Sequence, residues 1–341
     1  MTHLLKTSTG NHSLLPSNFL NEYSPIQKMY LTSNEREALE KKYNINTETL
    51  LKNIVQKVCK IAIPPISEFY VGVAGLGKSG NIYYGINLEF PQLQINQTVH
   101  GEQFMICNAY SHDEPAITML AVNAAPCGHC RQFLNELVAP FKVKICIVNL
   151  NICETLADLL PYSFGPRDLG SEINLLSTIN HNLKYDNNNG NDDRTIQAAL
   201  NAINRSYTPY TNSPSGVAIL SKTNNQIYIG SYLENAAFNP SLAPFQAALI
   251  SMISNGNRLD MENVSCFVFL CFFVCLIALC IGMLFSLIHI YHMGMYTSSN
   301  IYYSMSIYLS ISISDIYILL IKNTNKKKNN NLLINFNLSK F

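Results

Sequence analysis

Apolar positions along the chain change period several times, and each change marks an element. In "TETLLKNIVQKVCKIA" at 47–62, Leu50, Leu51, Ile54, Val55 and Val58 fall on one face at helical spacing. A helix is predicted there, ended by Pro64-Pro65, with another over 32–43. The pattern in "EFYVGVAGLGKSGNIYYGINLEF" at 68–90 predicts two strands joined by a Gly-Lys-Ser-Gly-Asn turn. Its "GLGKSG" joins strand to strand and lacks the spacing of a phosphate loop. A helix should begin near Val99, a strand should cover 117–123, a helix should open at the Cys127/Cys130 pair, and 143–150 reads as a further strand.

The pattern then starts again. "KYDNNNGNDD" at 184–193 is too polar to pack and reads as a linker. After it comes a helix with the apolar face Ile196, Ala199, Leu200 and Ile203. Residues 215–250 run parallel to 71–106: "GNIYYGINLE" matches "NQIYIGSYLE". Where the first copy has "HGEQ" the second has "APFQ", and no cysteine pair follows. The expected organisation is a lead-in over 1–46, a catalytic domain over 47–183, a linker over 184–194 and a degenerate, truncated second domain over 195–256. An atypical tail occupies 257–341, and its stretch 265–291 carries no charge over a membrane-spanning length. Two readings of this tail stand: a membrane anchor, or translated non-coding sequence rich in Ile, Asn, Lys, Tyr and Phe. On either reading the second sheet is expected to lack strands.

Composition narrows the function. The 341 residues carry 23 basic and 22 acidic side chains, and no basic stripe precedes the tail's "KKK", so nucleic acid is not an expected partner. No basic segment followed by an apolar run opens the chain, so a cytoplasmic location is expected, with the membrane involved only if 265–291 is a genuine span. In that setting a Cys-x-x-Cys reads as metal or redox chemistry.

Candidate chemistry gathers in "TVHGEQFM" at 98–105 and "NAAPCGHCRQF" at 123–133. A catalytic zinc takes three protein ligands and keeps its fourth place for water, and His100, Cys127 and Cys130 supply that count. The cysteines at a helix start are favoured as thiolates by the unpaired amides there. Glu102, on the same helix start as His100, is a carboxylate suited to moving the water's proton to a leaving group. A Cys-x-x-Cys alone fits a redox pair or half of a structural zinc knot equally well. His-x-Glu followed by Pro-Cys-x-x-Cys is the far narrower signature of zinc nucleobase deaminases. Arg131 fits either a donor to a thiolate or a partner for an acid, and takes no role here.

On these residues, together with "NLEF", "LLPYSFGPRDLG" at 159–170 and "LENAAFNP" at 233–240, the chain resembles the two-domain, homodimeric, zinc-dependent cytidine deaminases over about 30–255. The resemblance implies a three-layer α/β/α fold with a mixed sheet, duplicated within the chain. It also implies one Zn2+ held by His100, Cys127 and Cys130, Glu102 as proton shuttle, Asn87 and Glu89 on the ribose, and Phe69 beside the base. Cytidine and 2′-deoxycytidine are the implied substrates, and a homodimer is implied whose partner closes the site through Glu234 to Phe238. A carboxylate at Glu89 accepts from a ribose hydroxyl and repels phosphate, which favours a free nucleoside. The alternative is a deaminase-like binding or dimerisation module, impaired by a truncated second half. The family has alanine where this chain has Gly101, a helix cost of about 1 kcal/mol at most, expected only to tune the site.

Overall fold

The computed structural model describes residues 15–16, 18–25, 27–184 and 194–257, with the backbone of Val264–Cys271, Asp315–Leu320 and Leu332–Phe336. Among the described residues two compact units appear. The first contains residues up to 180 with 207–212 and 230–257, and the second contains 181–206, 213–229 and the three late strands.

The first unit opens with β1 (Tyr30–Leu31), α1 (Ser33–Tyr43) and α2 (Thr47–Val58). Thr32 starts α1 in a reciprocal cap with Glu35, and the Asn46 side chain accepts from the Thr49 amide to start α2. The face predicted for α2 is the one buried: Leu50, Leu51, Ile54, Val55 and Val58 are all inaccessible. The last turn tightens to a 3-10 helix over Cys59–Ile61 before the two prolines. There follow β2 (Gly72–Gly77), β3 (Ile82–Ile86), α3 (Gly101–Ser111), β4 (Ile117–Val122), α4 (Gly128–Leu134), β5 (Lys144–Ile147), β6 (Ile152–Thr155) and α5 (Leu156–Leu159).

The strand order is β1-β3-β2-β4-β5-β6, with β4 and β5 parallel and every other neighbour pair antiparallel. Alternate residues of β2 meet different layers. A Cβ on Gly72 would strike the α2 backbone at Val55 and Cys59, and one on Gly75 would strike Met105 of α3. Helices therefore cover both faces of a mixed sheet, the α/β/α arrangement expected. The strand foreseen over 143–150 ends at Ile147, because Asn151 turns the chain back at φ 54°. That turn creates β6, too short and exposed to have shown a period.

The repeat continues in α6 (Arg194–Asn204), β7 (Ser215–Ser221), β8 (Ile227–Ser231) and α7 (Pro244–Ser254). Beyond it the structure differs from expectation. β9 (Val264–Cys271), β10 (Asp315–Leu320) and β11 (Leu332–Phe336) extend a second sheet in the order β11-β10-β9-β7-β8. β7–β9 is antiparallel, β9–β10 parallel and β10–β11 antiparallel, the sequence of directions already seen in β2–β4, β4–β5 and β5–β6. The second sheet is thus not cut short after residue 256. The stretch 265–291 begins as a strand paired with β7; an uninterrupted apolar run is compatible with a strand as well as with a membrane span. The rest of that stretch lies outside the described residues. No helix among the described residues is long and apolar enough to cross a membrane.

Two close approaches recur in both copies. A Cβ on Gly85 would lie 2.1 Å from the Gly101 carbonyl oxygen, and one on Gly230 would lie 2.1 Å from that of Pro244. Gly101 is itself confined: its Cβ would fall 2.9 Å from a methyl of Val71 and from one of Val73. The glycine there admits α3 to the sheet, which corrects the expectation of a simple helix cost. Glu136, just beyond α4, is fully buried, accepts from Tyr207 Oη at 2.7 Å, Tyr210 Oη at 2.8 Å and the Ala236 amide at 2.6 Å, and joins the 207–212 and 230–257 segments to the first copy. Burial raises its pKa, against the pull of those bonds.

Gly101→Ala is expected to lower stability in urea unfolding by about 1–2 kcal/mol, since overpacking against two stiff valines costs about 1–3 kcal/mol and outweighs the gain in helix propensity. A second expectation concerns pH. A carboxyl that holds its proton more tightly folded than unfolded costs stability as pH rises from its unfolded to its folded pKa. Stability should therefore decline as pH rises upward from about 4.5, and Glu136→Gln should flatten that decline in unfolding curves taken pH by pH.

Candidate active site

Two helix starts build the centre of the site. His100 is the N-cap of α3, and Cys127 is the N-cap of α4 with Cys130 in its first turn. The fold brings the three together: His100 Nδ1 lies 3.5 Å from Cys127 Sγ and 3.4 Å from Cys130 Sγ, and the two sulfurs are 3.6 Å apart. Bonds of about 2.3 Å to sulfur and about 2.0 Å to nitrogen put the edges of a tetrahedral zinc site at about 3.5–3.8 Å. The observed separations fit that ion closely, and the donor set of two thiols and one imidazole suits it chemically.

Electrostatics agree with ligand duty. The hydrogen-bond contact between Cys127 and Cys130 is the main cause that brings the Cys127 thiol down to about 3, with His100 assisting against burial. The contact with Cys127 chiefly, and burial after it, raises Cys130. Bonding to Cys127 chiefly raises His100. A cation held between the two sulfurs needs both as thiolates, so its binding releases protons. The His129 ring stacks on that of His100 at 4.7 Å and walls one side.

Glu102 is buried, with Oε2 accepting from Cys130 Sγ at 3.0 Å. Burial raises its pKa, and the Cys130 bond opposes that rise. A carboxyl pushed up toward neutrality beside the ligands is what a proton carrier needs. Arg131 reaches neither a thiolate nor an acid: its Nε donates to the Pro126 carbonyl and a terminal nitrogen donates to that of Leu159.

Asn87 and Glu89 follow β3 and both serve the 66–71 segment. The Glu89 carboxylate accepts from the Ile66 amide at 2.9 Å, the Ser67 amide at 2.8 Å and Ser67 Oγ at 2.5 Å. Burial works against ionisation there, and the Ser67 and Ile66 bonds overcome it, so the pKa is lowered. Asn87 accepts from the Val71 amide at 2.9 Å and donates to the Phe69 carbonyl at 2.8 Å. Asn123 does the same on the other side, accepting from Gly72 at 2.9 Å and donating to Tyr70 at 2.8 Å. Residues 69–72 thus lie between two asparagine side chains that stand in for neighbouring strands. Phe69 is held by its backbone while its ring is 57% exposed, not a core residue.

Ser67, Asn123 and Gln103 belong to this frame and were missed from sequence. Only Gln103 left a trace, the N-cap-x-x-Gln spacing from His100. In the stretch expected to meet a partner, Glu234 and Asn235 are buried within their own chain, with Glu234 accepting from the Tyr210 amide and Asn235 donating to the Gln132 carbonyl. Phe238 is exposed, at φ 68°. A second cluster, Glu48 with Cys146 and Cys153, is unsuited to a cation, since a disulfide joins its sulfurs and Lys52 and Lys144 occupy its carboxylate.

Comparison with known proteins follows this geometry. The family described as cytidine and deoxycytidylate deaminase zinc-binding region matches residues 45–146 and again 156–270, so that its second match overlaps β9. A cytidine deaminase of Photorhabdus laumondii is 42% identical over 234 residues, which are 68% of this chain and 78% of that protein. One of Vibrio vulnificus is 46% identical over 200 residues, 59% of this chain and 65% of that protein. The crystal structure of cytidine deaminase from Mycobacterium tuberculosis is similar at 28% identity and a TM-score of 0.32, covering 35% of this chain and 98% of that one. The first family match takes in all three gathered ligands and the second repeats it over the copy without them, and with a relative 42% identical across most of its length, the chain belongs to the cytidine and deoxycytidylate deaminase family.

Proposed function

We propose that the chain hydrolyses cytidine and 2′-deoxycytidine to uridine and 2′-deoxyuridine with release of ammonia. The observation that carries this reading is the meeting of His100, Cys127 and Cys130, all ligand atoms within 4.8 Å of one another, beside the buried carboxyl of Glu102. Those three residues would hold Zn2+. Bound there, zinc supplies Lewis acidity, making water acidic enough to serve as nucleophile near neutral pH.

The chain's own groups do the rest. Glu102 takes one proton from the attacking water and passes it to the ring nitrogen. It then takes the second from the hydroxyl now on C4 and passes it to the amino group as the C–N bond breaks, so that water and cytidine leave as uridine and ammonia. Its burial keeps competing bulk water from that proton. The Phe69 ring offers an apolar face to the base. Glu89 has three of about four acceptor positions used by Ile66 and Ser67, which leaves one for a ribose hydroxyl. Asn87 keeps one amide N–H beyond its bond to Phe69. An ionised Glu89 at the sugar favours nucleosides over nucleotides.

A homodimer is part of the proposal, with the exposed Phe238 as the member of the 234–238 stretch that meets a partner. A cytoplasmic location is also proposed, supported by ligand thiols that need reducing surroundings; the Cys146–Cys153 bridge is the observation that pulls the other way. The rival reading, an impaired binding module, rests on a second half cut short, and a second sheet of five strands favours the catalytic reading over it.

Turnover of cytidine followed by ultraviolet absorbance should be measurable for the zinc-loaded chain. It should fall by at least about 10²-fold in Glu102→Ala, the lower end of what a general acid–base contributes, with zinc content unchanged. Zinc bound at one per chain without any turnover by the parent would sink the catalytic reading. Cytidine 5′-monophosphate should react far more slowly than cytidine, and recover in Glu89→Gln.

A further inference from the structure

The metal-bearing start of α3 and the metal-free start of α7 are joined by two reciprocal bonds within the first unit. The His100 amide donates to Gln103 Oε1 at 3.2 Å, and Gln103 Nε2 donates to the Pro240 carbonyl at 2.9 Å. In the other copy the Ala243 amide donates to Gln246 Oε1 at 2.9 Å, and Gln246 Nε2 donates to the Gln97 carbonyl at 2.8 Å. Pro240 stands three residues before the N-cap Ala243, and Gln97 stands three residues before the N-cap His100. The arrangement is two-fold symmetric to the residue, and both glutamines are buried.

Of "HGEQ" and "APFQ" only the glutamine is shared. Gln246 therefore has no ligand to serve and acts only in docking one helix start on the other. Gln103 makes the same cross-copy bond with one end of its amide while the other end holds the backbone of a metal ligand. Moving Pro240 would pull on Gln103, and Gln103 would release the amide that fixes where the His100 ring begins.

We propose that Gln103 is a positioning residue for His100, through which the copy lacking ligands helps to set the zinc site. This rests on the zinc reading above. It gives the degenerate copy a task in the metal centre besides closing the fold, and that task lies within one chain.

Gln246 supplies the control, because replacing it removes an equivalent buried bond from the same junction without touching a ligand. Zinc affinity would be read by competition with a chromogenic chelator, and stability by thermal unfolding of the zinc-free chain. In Gln103→Met zinc affinity should fall by about 10- to 100-fold, as for other groups that orient ligands. Gln246→Met should lower the unfolding temperature comparably and keep zinc affinity within about twofold of the parent, the size of effect expected of a group that touches no ligand. Equal changes of zinc affinity in the two variants, whether none or large, would overturn the inference. If Gln103→Met fails to fold, Gln103→Glu decides: it keeps an acceptor for the His100 amide and loses the donor to Pro240. With the bond to the second copy gone it should bind zinc more weakly than Gln246→Met does, and zinc affinity equal to the parent's would reject the role given to that copy. The parent's own zinc content separates the two levels. A parent that binds no zinc removes the metal reading, whereas a parent and Gln103→Met that bind it alike remove only this one.

Discussion

Everything at the centre depends on two helix N-termini meeting. His100 and Cys127 are both N-caps, residues of extended backbone set at the very start of a helix. Such a position is fixed by whatever fixes the helix. α3 is held against β3 by the absence of a side chain at Gly85 and against Val71 and Val73 by its absence at Gly101, and α4 follows β4 after a short connection. The three ligand atoms then fall into place without any loop having to choose among conformations. Unpaired amides at the same two helix ends favour the negative charge that the thiols must carry.

The sequence revealed those parts whose physics is periodic or whose residue types are rare. The buried stripe of α2 is a helical repeat, and the ligands are chemically scarce side chains at a narrow spacing. Less was legible where side chains of common type act through geometry. Asn87 looked like a substrate ligand or a turn cap, and its present bonds to the 69–71 backbone depend on where the chain folds back. Asn123 and Ser67 gave no signal beyond being polar, and Gln103 gave only its spacing from His100. β1 pairs over two residues and β6 over four, too few to display alternation.

The tail teaches a different lesson. Apolar length alone does not distinguish a membrane helix from a strand enclosed on both faces, because neither leaves a polar position to mark a period. What separates them here is register. Val264 to Cys271 lie antiparallel to β7 as β4 lies on β2, and the next two strands repeat the directions of β5 and β6. An internal repeat was therefore the better guide to these residues than their composition.

The asparagine clamp on residues 69–72 separates two properties that pockets usually confound. The path of the backbone past the site is written in amide bonds to Asn87 and Asn123, which do not depend on which side chains the segment carries. The Phe69 side chain beside that path is largely exposed. The frame and the lining of the pocket are thus independently variable. A lineage or an engineer can redraw the shape presented to the base one side chain at a time, on a track that stays where it is.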